Sequence, residues 1–298
     1  MLKSEKEQTF EIGPVKIGGK LGQIPTVLIG SIFYNKHYIV KDEMKGEFDH
    51  QEAERLIKKQ EEFSDKTGNP HMIDVVGATP GALSRFIDFV SGITQAPILF
   101  DGVSSSVRMQ TLDFIKDSGL KKRLVYNSIT PDCKQEELEK IKEAGIKSSI
   151  LLAFNSKEFT SKGRINAVRQ LLPMAQSAGI EKPLIDTVVL DIPSLGMACR
   201  AIHELRKEFG LPVGSGAHNA VGTWKGLKKK MGKQASDPSM AAACAITIAA
   251  GANFVLYGPI EFADYMFPTL AMVDAAYAQL SIEDGNRPDP QHPIFKIA

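Results

Sequence analysis

Short apolar runs alternate with longer amphipathic stretches along almost the whole chain. Eight of these runs are apolar or β-branched almost throughout, which is the pattern of strands that are covered on both faces. They are Thr26–Ile32, Met72–Val76, Ile98–Asp101, Arg123–Asn127, Ser148–Phe154, Leu184–Asp191, Leu211–Gly214 and Asn253–Tyr257. Helix signals fill the intervals, as in Asp49–Lys66, where Asp49 and Glu52 form a capping-box-like pair. The alternation predicts an α/β fold built from repeated strand–helix units.

The choice between a closed barrel and an open doubly wound sheet depends on the loops that succeed the strands. No GxGxxG or Walker loop comes after any strand, which removes the commonest reason to prefer an open sheet. Eight units without a domain-sized interruption favour a single (β/α)8 TIM barrel over residues 1–298. Before the first unit, Thr9–Lys20 alternates apolar and polar residues around Gly13-Pro14, which predicts a β-hairpin at the bottom of the barrel.

Composition excludes several classes of partner and site. Lys and Arg (36) nearly balance Asp and Glu (35), so the chain lacks the basic footprint of a nucleic-acid-binding protein. The three cysteines lack metal-ligand spacing, and we expect reduced thiols in a cytoplasmic protein that binds no metal. The N-terminal segment lacks the apolar core of a signal peptide, and the longest apolar stretch, Met240–Ala250, is too short for a membrane span.

Polar side chains are frequent where the predicted strands end, which in a barrel is the end that carries the chemistry. They are Asp101, Asn127, Asn155 and Asp191 after strands three to six, and His218 and Asn219 after strand seven. Each has a structural alternative, because Asp and Asn are common helix N-caps and a lone histidine is often a hydrogen-bonded structural residue. Taken together, carboxylates and carboxamides suit a neutral heterocycle with an edge of hydrogen-bond donors and acceptors. No strand ends at a lysine suited to a Schiff base, and no histidine pair accompanies the carboxylates.

Several long segments, in order along the chain, carry a resemblance to a known family. They are FEIGPVKIGGKLGQIPTVLIGSIFYNKH, SDKTGNP, YNSI, LLAFN, GLPVGSGAHN and LYGPIE. From about Phe10 to Met272 the chain resembles the H subunit of tetrahydromethanopterin S-methyltransferase, a family that includes bacterial enzymes acting on tetrahydrofolate. The strand-end pattern is more distantly similar to corrinoid protein methyltransferases and dihydropteroate synthases. The synthases carry a Ser-Arg-Lys motif after strand seven, where this chain has GSGAHNAVG, so a pterin-condensing activity is disfavoured.

The resemblance implies a methyltransferase that moves a methyl group between a methylcorrinoid, carried by a partner corrinoid protein, and N5 of tetrahydrofolate or tetrahydromethanopterin. The residues expected at the pterin are Asp101, Asn127 and Asp191 around the ring, Asn219 near N5, and Asn155 and His218 beside them. Demethylation of a methyl pterin requires a proton at N5, which water, His218 or Asp101 would relay. Barrel relatives imply a homodimer. The alternative is a non-catalytic pterin-binding or scaffolding subunit.

Two further features are expected near the carboxyl end of the barrel. The basic run Gly226–Lys233 is either a solvated helix end or a contact for an acidic corrinoid protein or the glutamate tail of a substrate. Tyr34, Asn35 and His37 come after strand one and are candidates for the rim. Trp224 either covers the site or packs under the long connection after strand seven.

Overall fold

Eight parallel strands form a closed barrel in the computed structural model, which describes residues 7–297. In chain order the strands are β1 (Thr9–Ile12), β2 (Val15–Gly18), β3 (Val27–Ile32), β4 (Val40–Asp42), β5 (Glu47–Phe48), β6 (His71–Gly77), β7 (Ile98–Gly102), β8 (Leu124–Ile129), β9 (Ser148–Leu152), β10 (Lys182–Asp186), β11 (Val213–Ser215) and β12 (Phe254–Pro259). Around the barrel the order is β10, β11, β12, β3, β6, β7, β8 and β9. The predicted (β/α)8 barrel is confirmed. Residues 1–6, where the sequence lacks a signal-peptide pattern, and residue 298 lie outside the described residues.

Helices connect the barrel strands on the outside. They are α1 (His50–Thr67), α2 (Pro80–Ile93), α3 (Ser105–Asp117), α4 (Gln135–Ala144), α5 (Ser161–Ser177), α6 (Ile192–Phe209), α7 (Asn219–Gly222), α8 (Leu227–Met231), α9 (Ser236–Ala249) and α10 (Ala263–Glu283). The first begins as the sequence predicts, because the Asp49 carboxylate accepts a hydrogen bond from the Glu52 N–H at 3.1 Å. It ends at Gly68, whose left-handed φ of 83° lets its N–H reach the Ser64 carbonyl.

The hairpin of β1 and β2 closes the amino end of the barrel, as predicted. Its two strands pair antiparallel, and Ile12, Val15 and Ile17 are buried. These three side chains belong to the same apolar cluster as the lower inward-facing residues of the barrel strands, which are Val27, Ile29, Met72, Leu99, Val125, Ile150, Leu184, Phe254 and Leu256. The hairpin therefore seals the amino end with apolar side chains and leaves the carboxyl end as the accessible one.

A buried polar cluster ties the first barrel strand to the last helix at the amino end. Asp274 of α10 is fully buried and accepts hydrogen bonds from the Thr26 N–H (2.8 Å), the Thr26 hydroxyl (2.7 Å) and the Asn69 side-chain amide (2.6 Å). A buried carboxylate with this many donors is a structural tie between elements far apart in sequence.

Two predicted strands end earlier in the structure than the sequence suggested. The fifth barrel strand, β9, ends at Leu152 rather than Phe154, and the sixth, β10, ends at Asp186 rather than Asp191. The chain leaves the sheet after Asp186 because the carboxylate of that residue accepts the Val188 N–H at 2.8 Å. Val188 then has a left-handed φ of 55°, which a strand does not tolerate. No helix among the described residues is both long and apolar enough to cross a membrane.

Candidate functional site

The carboxyl ends of the barrel strands surround a cavity of about 470 Å³, called here the mouth cavity. It is lined by Ser31, Tyr34, Asp74, Val76, Asp101, Asn127, Ser128, Leu152, Asp186, Gly216, His218, Asn219, Leu256, Gly258 and Pro259. A volume of this size is typical of sites for small organic ligands, which span roughly 300–1,000 Å³. The cavity brings together four of the six predicted site residues, namely Asp101, Asn127, His218 and Asn219.

Asp74 is a site residue that the strand-end pattern did not reveal. It lies in the middle of β6, where its carboxylate accepts hydrogen bonds from the Ser31 hydroxyl (2.7 Å) and the Asn127 side-chain amide (3.1 Å). Burial raises the pKa of Asp74 to about 6, although both hydrogen bonds oppose the shift. The sequence feature that could have revealed Asp74 is an aspartate inside an otherwise apolar strand. Asp74 fixes the orientation of the Asn127 amide toward the cavity.

Asp101 ends β7 beside Asp74 and is accessible from the mouth cavity. Burial, and then the neighbouring Asp74 carboxyl, raise the pKa of Asp101 well above its usual range, against the opposing charge of Arg108. No hydrogen-bond donor among residues 7–297 reaches the Asp101 carboxyl. The raised pKa favours the protonated form of Asp101 more than in an ordinary aspartate, and that form offers one donor and one acceptor to a ligand.

Asp186, rather than the predicted Asp191, is the carboxyl group that β10 places in the mouth cavity. Burial raises the pKa of Asp186 to about 6, against hydrogen bonds from the Val188 and Gly216 backbone. Asp191 is exposed and accepts a hydrogen bond from the Ser194 N–H at 2.9 Å as the N-cap of α6. The structural alternative for Asp191 is thus correct. The apolar run TVVL after Asp186 misled the sequence prediction, because it continues the strand pattern where the backbone turns away.

Two arginines, one buried and one partly buried, hold the loops behind the cavity, and neither was predicted from the sequence. Arg164 of α5 donates to the carbonyls of Thr187 (2.6 Å) and Val188 (3.0 Å). Arg108 of α3 donates to the Gly102 carbonyl at 3.0 Å, directly after Asp101. These bonds satisfy carbonyls of strained or irregular backbone, so the arginines position the carboxyl groups at the ends of β7 and β10.

His218 and Asn219 form the wall of the cavity after β11. His218 Nδ1 lies 2.9 Å from the Leu256 carbonyl, which only accepts, so Nδ1 carries the proton and Nε2 is left as an acceptor. Burial lowers the pKa of His218, and the neutral ring is therefore favoured. Gly258, at φ 97°, packs under the imidazole, where an added Cβ would lie 3.0 Å from two ring carbons. Asn219 opens α7 and its side chain is exposed at the cavity.

Asn155 lies outside the mouth cavity. Its Oδ1 accepts hydrogen bonds from the Lys157 N–H (3.0 Å) and the Glu158 N–H (3.2 Å), so the side chain stabilises its own turn. The turn borders a neighbouring groove of about 680 Å³ that shares Leu152 with the mouth cavity. Among residues 7–297, no group of three or more His, Cys, Asp or Glu side chains is arranged to hold a metal ion.

Solved structures of similar fold include dihydropteroate synthases. The Yersinia pestis DHPS with a pterine–sulfa conjugate matches with a TM-score of 0.64 at 12% sequence identity, and the match covers 91% of this chain and 99% of that one. A second structure of the Yersinia pestis dihydropteroate synthase gives a TM-score of 0.61 at 12% identity, covering 91% and 98% of the two chains. At this identity the likeness shows the barrel fold alone.

Sequence comparison identifies the family. The family model described as the tetrahydromethanopterin S-methyltransferase MtrH subunit matches residues 5–288. The H subunit of tetrahydromethanopterin S-methyltransferase from Methanothermobacter thermautotrophicus is 39% identical over 309 residues, covering 100% of both chains. The H subunit of the putative methyltransferase mtx from Methanosarcina barkeri is 38% identical and covers 99% of each. The chain therefore belongs to the family of the tetrahydromethanopterin S-methyltransferase MtrH subunit, a family of methyltransferase subunits built, in this chain, on a TIM barrel.

Proposed function

We propose that this chain transfers a methyl group between N5 of a reduced pterin in the mouth cavity and a corrinoid carried by a partner protein. Membership in a methyltransferase family, with relatives named for tetrahydromethanopterin, supports the reaction class. The observation that carries the proposal is a set of carboxyl and carboxamide groups that face one cavity with hydrogen-bonding capacity to spare, namely Asp101, Asn127, Asp186 and Asn219. A flat heterocycle with donors and acceptors along its edges is the ligand that such a set recognises.

Asp186 is the proposed anchor of the pterin. Its carboxylate accepts hydrogen bonds from the Val188 and Gly216 backbone and keeps other acceptor sites for a ligand. A pKa of about 6 leaves the ionised form in the majority at pH 7. The pyrimidine edge of a pterin presents N3–H and a 2-amino group side by side, and one carboxylate accepts both. The sequence predicted this role for Asp191, and we assign it to Asp186 because Asp191 caps α6 outside the cavity.

Asp101 and Asn127 are proposed to form hydrogen bonds with the edge of the ring that carries N1 and N8. With the pyrimidine edge at β10 and N5 toward the loop after β11, this side faces β7 and β8 in the barrel order. N1 is an acceptor and N8–H is a donor. A protonated carboxyl group matches that pair with its own O–H and C=O, which suits the raised pKa of Asp101. Asp101 thereby positions the ring and lies away from N5.

Asn219 is the proposed partner of N5. Without a proton, N5 would leave the methyl group as an amide anion, so removing the methyl group requires a proton at N5 in or before the transition state. The lowered pKa of His218 favours its neutral form, and its free Nε2 accepts rather than donates. We therefore propose that water delivers the proton, oriented by the Asn219 amide and the His218 Nε2. In the opposite direction, which makes methyl pterin, the same water takes up the proton that N5 loses.

The corrinoid partner is proposed to dock on the same end of the barrel. When the partner presents it, the corrinoid supplies the cobalt centre that gives or takes the methyl group. The rim fits such a docking surface, because its βα loops expose large apolar side chains: Val103, Phe159, Leu190, Ile192 and Trp224. Exposed apolar side chains gathered at one end of a protein are typical of an interaction site. The chain itself need only hold the pterin still and leave N5 open to the docked partner.

Three exposed lysines extend this surface. Lys228, Lys229 and Lys230 lie on α8, in the connection that comes after Asn219. We propose that they attract an acidic corrinoid protein, which is the partner alternative that the sequence left open. Salt would then slow transfer to the protein-bound corrinoid while leaving pterin affinity unchanged, because screening acts on the exposed charges.

The direct test is an anaerobic assay with the purified chain, methylcobalamin and a reduced pterin, in which the cobalt absorbance is followed. Loss of the methylcobalamin band that requires both protein and tetrahydromethanopterin or tetrahydrofolate supports the proposal and identifies the pterin. Pterin binding without any methyl transfer, either from free methylcobalamin or from a methylated corrinoid protein of the same organism, would favour a scaffolding role. Binding of neither pterin would overturn the proposal.

A further inference from the structure

A strained turn comes after β3 at the rim of the mouth cavity. Phe33 and Lys36 both have a left-handed φ of 62°, although neither is glycine. Backbone of this kind costs roughly 1–3 kcal/mol per residue and persists where its surroundings hold it in place. Here the Phe33 N–H donates to Nδ1 of the buried His37 at 3.0 Å, and the Phe33 ring stacks on Phe86 at 4.1 Å. Between the two strained residues lies Tyr34, which lines the cavity.

Tyr34 is held on two sides. Its hydroxyl donates to Glu261 Oε1 at 2.7 Å, and one face of its ring stacks on His37, with centroids 4.2 Å apart and planes 10° apart. Glu261 lies in the turn after β12, where the Lys59 side chain from α1 donates to its carbonyl at 2.9 Å. His37 Nε2 lies 3.2 Å from the same Glu261 oxygen. Because Glu261 takes the hydroxyl, Tyr34 presents its ring rather than a hydrogen-bond donor to the cavity.

The direction in which a pterin would extend is set by the proposed orientation, and this step rests on the proposed function. The edge that carries C6 and C7 is opposite the N3 edge, and β6 is opposite β10 in the barrel order. C6 is bonded to N5, which faces the loop after β11. A substituent on C6 therefore leaves the cavity between β12 and β6, and β3 with Tyr34 occupies that position.

We propose that the stacked pair Tyr34 and His37 is the platform for the aromatic ring that tetrahydrofolate and tetrahydromethanopterin carry on their C6 substituent. Tyr34 is then a specificity-determining residue, because it separates arylamine-bearing pterins from simple ones. A preordered aromatic ring that lines the cavity is suited to stacking, and aromatic pairs of this kind contribute about threefold to tenfold in affinity. The strained turn and Glu261 serve to fix the ring before the substrate arrives.

The test compares two ligands on one set of variants by anaerobic calorimetric titration. One ligand is whichever of tetrahydrofolate and tetrahydromethanopterin the wild type binds, and the other is 6-methyltetrahydropterin, which has the bicyclic ring but no arylamine. We expect Tyr34→Ala to weaken binding of the first about fivefold to tenfold and to leave the second within about twofold. Tyr34→Leu, which fills the space without an aromatic face, should do the same, and Tyr34→Phe should bind both nearly as the wild type does.

Tyr38→Ala is the matched control, because Tyr38 lies on the same turn but is exposed and bonds to Glu52 outside the cavity. Both ligands should bind this variant as they bind the wild type. Equal weakening of both ligands in Tyr34→Ala and Tyr34→Leu, no weakening of either, or the same selective loss in Tyr38→Ala would each overturn the platform. Those results would leave the proposed function intact, whereas a wild type that bound neither ligand would refute the proposed function itself.

Discussion

At the amino end of the barrel Asp274 is fully buried and accepts three hydrogen bonds from Thr26 and Asn69. At the carboxyl end Asp101 is accessible from the mouth cavity, and no donor among residues 7–297 reaches it. The hairpin of β1 and β2 repeats the contrast, since the side chains that it buries against the lower barrel, Ile12, Val15 and Ile17, are apolar. The Asp274 carboxylate is thus satisfied within the protein, whereas the Asp101 carboxyl group is left for a ligand.

The contrast separates two kinds of buried carboxyl group. Burial raises the pKa of Asp274, Asp74 and Asp186 alike to about 6, so a shifted pKa does not distinguish a structural from a functional group. What distinguishes them is the supply of donors. Side chains at the amino end should therefore govern stability, and side chains at the mouth should govern ligand binding and transfer.

The largest effect, on stability, is expected from the hairpin of β1 and β2. Ile17→Ala should lower the free energy of unfolding by about 2–5 kcal/mol, because Ile17 is fully buried against the barrel and its truncation leaves a cavity. Urea denaturation measures this. Lys16→Ala, at a neighbouring exposed position of the hairpin, is the control and should change stability by under about 0.5 kcal/mol. If the Ile17→Ala variant folded but bound a reduced pterin much more weakly, the assignment of stability to the amino end and ligand binding to the mouth would be contradicted.

The next largest effect concerns N5. Asn219→Ala should slow demethylation of a methyl pterin about 100-fold. An effect of this size is typical when a group that assists proton transfer is removed. The reverse reaction passes through the same transition state and loses the same proton, so it should slow by a similar factor. Asn155→Ala removes a carboxamide that holds only its own turn and should leave both rates within about threefold. Single-turnover rates in both directions decide this, and unchanged rates in both would contradict the role at N5.

A smaller effect is expected at Asp101. An amide offers the same donor and acceptor pair as a protonated carboxyl group, so Asp101→Asn should bind a reduced pterin within about threefold of the wild type. Asp101→Ala loses both bonds and should bind about tenfold more weakly, in keeping with about 1–1.5 kcal/mol. If Asp101→Asn bound as poorly as Asp101→Ala, the ionised form would be the one that matters.

The smallest effect is a change in the pH dependence of stability. Burial raises the pKa of Asp186 from 3.8 to about 6, so the folded state holds its proton more tightly than the unfolded state. Its contribution to stability is complete below about pH 3.8 and is lost as the pH rises through about 6. Asp186→Asn does not ionise and should show a shallower decline in the free energy of unfolding between about pH 4 and 7. Unchanged pH dependence, measured by urea denaturation across that range, would place the Asp186 pKa near its ordinary value.

The barrel was predictable from the sequence because its units repeat, and each repeats the same apolar pattern. The hairpin was predictable from local alternation and the start of α1 from its capping pair. Strand ends were harder to predict, since TVVL after Asp186 has the composition of a strand and only the turn at Val188 ends it. The homodimer, the cytoplasmic location and the metal-free state stay predictions.

The site was only partly predictable for a related reason. Asp101, Asn127, His218 and Asn219 were found because polar residues after apolar runs stand out in a sequence. Other contributors act through tertiary contacts that no local pattern reports: Asp74 inside β6, and Arg108 and Arg164 on helices behind the mouth.

The most direct test of the pterin site is a calorimetric titration of a reduced pterin into the wild type, Asp186→Asn and Asp191→Asn. Asn at position 191 keeps the oxygen that caps α6, so this variant is the matched control. We predict that Asp186→Asn weakens binding about 100-fold, since two charge-assisted hydrogen bonds to the pyrimidine edge are lost. Asp191→Asn should bind within about threefold of the wild type. The opposite pattern, with affinity lost at Asp191 and retained at Asp186, would contradict the placement of the pterin in the mouth cavity.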